Sequence, residues 1–362
     1  MLKVGYDRCE TRLASQTTRH LLATGRSIPT LEDVARGAGV STATVSRSLN
    51  SPERVGEKTR DRVLKVVEQL GYTPNFAARV MAAKRSFTVG AIIPTMENAI
   101  FARGIQAFQE ELYRRGYILL VSSFLYDPTI EKDQIRNMVA RGADGLLLIG
   151  HDRDPDIYTY LEKQNVPSLV AWTYDESAAR PSVGFENRSS MEKLAQEVLK
   201  YGHKKIVAIM GSSKTNDRVR QRIEGIKDAL AQHGSNSEYL EVVESTHDVE
   251  SAGDAFEALM RRKSPPTAII CGNDVLAVGA VQRARKLGIN IPENVSITGF
   301  DDIELARIVN PPLTTVHVPH REMGRRAACE LVDMIEKQVP GNSIELETTI
   351  MLRESLRSPP PS

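Results

Sequence analysis

The stretch LEDVARGAGVSTATVSRSLN, residues 31–50, decides how the amino end of this chain folds. From Ala35 to Arg47 it has the form A-x-x-A-G-V-S-x-x-T-V-S-R. Thr30 can cap a helix that carries Leu31, Val34 and Ala35 on one face. Gly37 and Gly39 interrupt that pattern, and Gly39 permits a sharp turn. Ser41 can cap a second helix, with Thr44 three residues on and Val45 and Leu49 facing inward. A loop is expected at Asn50–Ser51–Pro52. A third helix is predicted from Thr59 to Leu70, with Val63, Val66, Val67 and Leu70 as its buried stripe and Gly71 as its C-terminal cap. Val40 and Val45 fill the small core between the first two helices. This is the physical logic of a helix-turn-helix. Thr42, Ala43, Ser46 and Arg47 then project from the outer face of the second helix. Two hydroxyls, a small apolar group and a guanidinium suit base edges and phosphates in the major groove. A three-helix protein-interaction domain shows the same glycine turn, so the pattern by itself leaves both readings open.

Working outward, residues 1–28 are basic, lack periodicity and receive no function. On the other side, YTPNFAARVMAAKRS (72–86) is a connector. Pro74 breaks the preceding helix and Asn75 can cap a short one over Phe76–Ala83. That segment is Ala-rich and about two turns long, so alone it is marginal in water and needs a partner to stay folded. From Phe87 onward, short apolar runs alternate with helical patterns. The runs are VGAII (89–93), YILLVSS (117–123), GLLLIG (145–150), PSLVAW (167–172), KIVAIMG (205–211), TAIICG (267–272) and VSITGF (295–300). Amphipathic helices fit between them, for example at 100–115, 129–141, 188–201, 217–231, 273–287 and 320–337. Such alternation predicts parallel sheets with helices on both faces, arranged as two α/β lobes. The first lobe is expected over 87–185 plus 317–354, the second over 186–316, and 355–362 as a tail.

A length of 362 residues calls for more than one domain. With 41% hydrophobic and 26% charged residues the composition is that of a soluble globular protein. No apolar run approaches the roughly 18 residues that span a bilayer, and the amino end lacks the apolar core of a signal peptide. Cytoplasmic localisation without membrane attachment is expected. Cys9, Cys271 and Cys329 show no metal-ligand spacing and read as reduced thiols. The net charge of +1 is a cancellation: residues 1–86 hold 15 Lys/Arg against 8 Asp/Glu, and residues 87–362 hold 32 against 38. A basic head on an acidic body suggests that the head meets a polyanion.

Taken together, these motifs resemble the lac repressor (LacI/GalR) family of bacterial transcription regulators. The resemblance runs from about Pro29 to Glu354. It rests on LEDVARGAGVSTATVSRSLN and KTRDRVLKVVEQLGYTPNFAAR, then VGAIIP, GNDVLAVGA (272–280), GINIPENVSITGFDD (288–302) and PPLTTV (311–316). It implies a helix-turn-helix head (29–72), a hinge helix (73–86) and a two-lobed, periplasmic-binding-protein-like α/β core. It implies a homodimer on a nearly palindromic double-stranded operator, associated with the nucleoid when bound. Thr42 and Ala43 fall at the two main base-reading positions and Arg47 at a third. The full DNA-facing set is Ser41, Thr42, Ala43, Thr44, Ser46, Arg47 and Asn50, with Asn75 and Met81 in the hinge. Met81 stands at the minor-groove wedge position, where leucine is usual, and methionine can unstack a base step. The chain ends in ESLRSPPPS, which forbids a continuing heptad helix, so a dimer rather than a tetramer is expected.

The resemblance also implies a small polar effector, such as a sugar or sugar acid, in the cleft between the lobes. Six residues map there. Arg222 can donate a bidentate pair to adjacent hydroxyls or an anion. Asn273 can donate and accept, and Asp301 can accept from two hydroxyls. The competing reading for these three is a structural salt bridge across the cleft. Phe101 and Trp172 also map to the cleft. Trp172, the only tryptophan, sits where the lac repressor has an acidic residue and can stack on a sugar ring, or else fills core at a strand end. His320 is either an effector contact or a helix-start residue after Pro319. The sign of the control, inducer or corepressor, is open.

An enzyme is the main alternative class, but HExxH, GxSxG and Walker-type loops are all missing. HDRD (151–154) reads as a solvated loop. No catalytic residue, cofactor or metal is expected. A periplasmic solute-binding protein would share the body but lack residues 29–86.

Overall fold

The computed structural model describes residues 28–73, 85–97, 99–234, 240–246 and 248–360. The predicted hinge helix, with Asn75 and Met81, and the basic arm up to residue 27 lie outside the described residues. The chain divides into two compact units, one ending at Lys84 and the other beginning at Arg85.

In the first unit, α1 (Leu31–Ala38) starts with a capping box. The Asp33 backbone N–H donates to Thr30 Oγ1 at 3.3 Å and the Thr30 N–H donates to Asp33 Oδ2 at 3.0 Å, so two orphan donors are satisfied reciprocally. Gly39 ends the helix in the left-handed region, φ 62°, which is the turn expected of it. Ser41 caps α2 (Thr42–Asn50) by accepting from the Thr44 N–H at 3.2 Å. A short 3-10 turn (Pro52–Arg54) leads to α3 (Glu57–Leu70), which starts two residues before the predicted Thr59. Val34, Ala35, Ala38, Val45, Val63 and Tyr72 form the core, flanked by Val40, Leu49, Val66 and Val67. Leu70 departs from the predicted stripe and is 41% exposed. The left-handed Gly71 turns the chain and the Tyr72 N–H reaches back to the Val67 carbonyl, so Tyr72 takes the core place instead.

The second unit holds two parallel sheets. The first has strand order β11-β5-β4-β3-β1-β2, built from β1 (Thr88–Ile93), β2 (Ile118–Ser123), β3 (Gly145–Ile149), β4 (Ser168–Ala171), β5 (Ser182–Gly184) and β11 (Ile344–Glu345). The second has order β7-β6-β8-β9, from β6 (Ile206–Met210), β7 (Glu241–Glu244), β8 (Ala268–Cys271) and β9 (Ser296–Thr298). Strands β1, β3, β4, β6, β8 and β9 are buried along their length, which is why they read as continuous apolar runs. β5 and β11 are too short, and β7 too polar, to stand out in that way.

Helices α4 (Ala99–Arg114), α5 (Pro128–Ala140) and α6 (Pro155–Lys163) belong to the first sheet. α7 (Asn187–Lys200), α8 (Asp217–Gln232), α9 (Val249–Met260), α10 (Asp274–Leu287) and the short α11 (Glu304–Ile308) belong to the second. α12 (His320–Lys337) packs on α4 and on β3, β4 and β5. The α4–α12 contact is backbone-close, because a Cβ on Gly324 would collide with the Gly104 carbonyl. The chain crosses between the lobes after β5, again at β10 (Thr315–His317), and a third time at β12 (Thr349–Met351), which pairs antiparallel with β10. Beyond β12 the chain lies along β9. The Ile297 N–H donates to the Ser355 carbonyl at 2.9 Å, Ser355 Oγ donates to the Ile297 carbonyl at 2.6 Å, and the Arg357 N–H donates to Ser296 Oγ at 3.1 Å. Among the described residues, no helix is long and apolar enough to cross a membrane.

Candidate functional site

In the head, the Ser41 cap points the first turn of α2 outward. Thr42, Ala43 and Arg47 are exposed on it, Thr44 and Ser46 half-buried. Among the described residues Arg47 has no carboxylate partner, which leaves its guanidinium available. Thr44 Oγ1 lies 3.0 Å from Ser41 Oγ, and Asn50 Nδ2 donates to Ser46 Oγ at 3.3 Å. These four side chains are therefore oriented by one another, while Thr42, Ala43 and Arg47 are unencumbered. Backbone N–H groups at a helix start, free small side chains and a cation make a surface suited to phosphate and base edges.

In the body, the carboxyl ends of both sheets face one cleft, where open α/β sheets bind ligands. Its deepest part is a chamber of about 40 Å³, lined from one lobe by Ile100, Phe101, Tyr126 and Trp172 and from the other by residues that include Arg218, Arg222, Asn273 and Asp301. Five of the six expected residues thus meet. The sixth, His320, is the first residue of α12 and is buried directly behind them, its ring centroid 6.3 Å from that of Trp172 and Nε2 3.9 Å from Asp301 Oδ1. It is at once a helix-start residue and a neighbour of the chamber.

Asp301 follows β9 with φ 102°, and Trp172 follows β4 with φ 63°. A side chain held in the left-handed region is strained, and such strain gathers at binding sites. Both Asp301 carboxylate oxygens and Trp172 Nε1 are buried without a hydrogen-bond partner. Buried polar groups of this kind carry a desolvation cost that a ligand can relieve. Burial pushes the Asp301 carboxyl up to about 6 against the pull of Arg222 and Arg218. Burial likewise drives the His320 imidazole down to about 3, so it is neutral, and raises the Tyr126 phenol to about 12.

Arg222 lines the chamber but is also engaged within the protein. Its Nε donates to Asn187 Oδ1 at 2.9 Å and its Nη1 to the Gly272 carbonyl at 2.6 Å. The guanidinium lies 3.6 Å over the Phe300 ring, with Nη2 3.8 Å from Asp301. Two of its nitrogens are thus engaged within the protein, and its ion pair with Asp301 joins residues of the same lobe rather than spanning the cleft. Burial pulls its pKa to about 10, which still leaves it charged at neutral pH. Asn273 also spends its oxygen internally, capping α10 through the Leu276 N–H at 2.9 Å, and retains its amide donors. Phe101 meets Trp172 edge-on, centroids 5.3 Å apart, and the missing side chain of Gly104 makes room for the indole.

Three residues were not singled out from sequence. Tyr126 and Arg218 line the chamber. Asn187, fully buried at the start of α7, donates to the Trp172 carbonyl at 3.1 Å while accepting from Arg222. It ties one wall of the chamber to the other. A polar residue opening a helix directly after a strand, as in FENRSS, was the available signal. Further ties cross the cleft: the His151 N–H donates to Asp217 Oδ2 at 2.7 Å and Arg220 pairs with Asp152 at 2.8 Å. HDRD is therefore solvated only in part: Asp152 and Asp154 are exposed, while His151 and Arg153 are held by the protein. The Arg153 side chain is 1% exposed and donates to Glu131 and the Tyr158 hydroxyl, each at 2.8 Å. A buried cation requires such partners. No group of His, Cys, Asp or Glu among the described residues could hold a metal ion.

The family model for bacterial regulatory proteins of the lacI family matches residues 30–75, and that for a periplasmic binding protein-like domain matches residues 195–356. The HTH-type transcriptional repressor CytR of Escherichia coli K12 is 32% identical over 333 residues, 91% of this chain and 97% of that protein. A LacI-family transcriptional regulator from Silicibacter pomeroyi superposes with a TM-score of 0.81 at 26% identity, covering 91% of this chain and 99% of its own. The lac repressor dimer bound to operator and an anti-inducer gives 0.80 at 25% identity, covering 91% and 100%.

Proposed function

The chain belongs to the lacI family of bacterial regulatory proteins, and from that premise we propose that it represses transcription as a homodimer on a palindromic operator, under the control of a small polar effector. It is a DNA-binding transcription regulator and not an enzyme. The observation that carries the operator reading is the exposed first turn of α2, where Thr42, Ala43 and Arg47 stand free while the Ser41 cap fixes their direction. We assign Ser41, Thr44, Ser46 and Asn50 to its support and to phosphate contact, and Asn75 and Met81 to the hinge. The dimer is supported by the lac repressor's own state and by edge strand β2, which exposes Ile118 and Leu120 beside the exposed Tyr113. An open apolar edge asks for a cover, and a second copy supplies one.

The effector reading rests on Asp301 and Trp172, whose buried polar atoms lack partners in a two-lobed cleft. Phe101, Asn273 and His320 complete the contacts, and Arg222 holds Asp301 in place. A chamber of about 40 Å³ holds a few waters, not a sugar ring. Effector entry therefore requires the lobes to part, and differential affinity for the parted and closed arrangements is what couples the cleft to the operator. Domain bounds of 29–72, 73–86, 87–185 plus 317–354, and 186–316 follow from the same reading, as does residence in the cytosol with association to the nucleoid when DNA is bound.

The test is fluorescence anisotropy on palindromic sites flanking the gene, against shuffled sequences of equal length and salt. Specific binding should exceed non-specific binding by at least about 10³-fold. Equal affinity for shuffled DNA would refute the proposal.

A further inference from the structure

The cleft has an outer part with a different chemistry from its floor. Tyr126 also lines a larger mouth between the same two lobes, of about 720 Å³. Hydroxyls of Thr95, Ser212, Ser245 and Thr246 line it, together with four carboxylates, Glu97, Glu244, Asp248 and Glu250. No lysine or arginine is among its described lining residues. Hydrogen bonds from Ser213 hold the Glu244 carboxyl below its usual range, and bonds from Ser251 and Thr246 do the same for Asp248. Both are therefore ionised throughout the neutral range. The floor, by contrast, is close to balanced. Arg218 is paired with Asp217 at 3.0 Å and Arg222 faces Asp301. What the floor offers a ligand is the Asp301 carboxylate, which accepts no hydrogen bond and is open to hydroxyls, and the Trp172 N–H.

We propose that the effector is a polyhydroxyl compound larger than one sugar ring, with its hydroxyl-bearing end on Asp301 and a neutral or cationic remainder in the mouth, and that acids and phosphate esters are rejected. The inference rests on the effector-binding reading of the cleft and narrows its ligand class. Four fixed negative charges about 10 Å from a ligand charge, in a water-like dielectric, each contribute about a factor of two. Screening over about one Debye length leaves a cation preferred over its neutral counterpart by about threefold, and an anion disfavoured by a similar factor.

The experiment holds the sugar constant and places the charge in the mouth. Aminoethyl, ethyl and carboxymethyl glycosides of glucose, galactose and ribose are titrated into the full-length protein by calorimetry, with thermal shift as a second readout. For at least one sugar the order should be aminoethyl, ethyl, carboxymethyl, from tightest to weakest. Removing two of the four charges with Glu97→Gln and Glu250→Gln, whose carboxylates make no hydrogen bond or ion pair among the described residues, should nearly halve each gap, by a factor of about 1.7. A carboxymethyl glycoside binding more tightly than its partners, an order unchanged in the double variant, or no binding by any glycoside would overturn the proposal. Asp301→Asn separates the two levels of inference. If that variant binds the glycosides as well as the unmodified protein does, the effector reading of the cleft fails. If it loses them while the charge order is absent in the unmodified protein, only the present proposal fails.

Discussion

Replacing Asp301 by asparagine should make the ligand-free body more stable while removing its response to effector. Asp301 is fully buried, and burial raises its carboxyl from the ordinary 3.8 to about 6 even with Arg222 nearby. A raised acid stabilises the fold fully below about pH 4, where it is protonated in both states, and that stability is lost as pH climbs to about 6. Above that pH the carboxylate costs about 3 kcal/mol, the linkage value of this difference. Asparagine is close in shape to the protonated acid and carries no such cost. The variant should therefore gain about 3 kcal/mol at pH 7, worth about 5 °C in melting temperature for a body of this size, and nothing at pH 4. Effector affinity should fall by roughly 10²-fold, since hydrogen bonds to a charged group are each worth about 1.5–3 kcal/mol. Denaturant unfolding of both proteins from pH 4 to pH 8, with the effector added in a parallel series, measures both quantities. A variant less stable than the unmodified protein at pH 7 would refute the reasoning. It would mean that the Arg222 pair outweighs burial and that Asp301 is structural.

Other perturbations report on other parts of the molecule. Arg47→Ala should weaken operator binding by about 1–3 kcal/mol and relax sequence discrimination, leaving the melting temperature unchanged within about 1 °C; gel-shift titration against operator and single-base variants shows this. Gly39→Val places a β-branched side chain at φ 62° and should destabilise the head by at least about 1 kcal/mol in thermal unfolding. Gly324→Ala drives a methyl into the Gly104 carbonyl, with an expected loss of about 1–3 kcal/mol in denaturant unfolding. Asp302 accepts from Arg353 at 2.6 Å and from Arg307 at 2.8 Å, and lies 2.9 Å from His317 Nδ1. Burial pushes its carboxyl up, but these bonds overcome that and hold it at about 2. Asp302→Asn should cost about 2 kcal/mol near neutral pH, and the difference from the unmodified protein should close as pH falls from about 4 towards about 2.

What could be read from the chain was local. The Ser41 and Thr30 caps and the Gly39 turn involve partners within three or four residues, and each lies where its neighbours demand. The apolar runs marked the buried strands because burial on both faces leaves no room for polar residues. Leu70 yields its predicted core place because the choice between it and Tyr72 depends on how Gly71 turns the chain. The cleft was half legible. Phe101, Trp172, Asn273 and Asp301 meet at the chamber, but nothing near Arg222 in the chain announces that Asn187 and Gly272 would occupy two of its nitrogens. Arg153 is the same case: its buried partner Glu131 is 22 residues away. Pairings over such separations are set by how the sheets stack, and the sequence period carries no record of them.

The segment beyond β12 bears on how the protein is made. Ser355 and Arg357 bond to Ile297 and Ser296, and His203 Nε2 donates to the Arg357 carbonyl at 2.8 Å. These residues leave the ribosome long after the strand they complete. The first lobe waits as well, since α12 and β11 come from the far side of the second. During synthesis the head, whose contacts are all local, can fold as it emerges. Neither lobe of the body can close its edges until almost the whole chain is present. A nascent chain stalled late in translation would thus carry a folded head on an unfinished sensor.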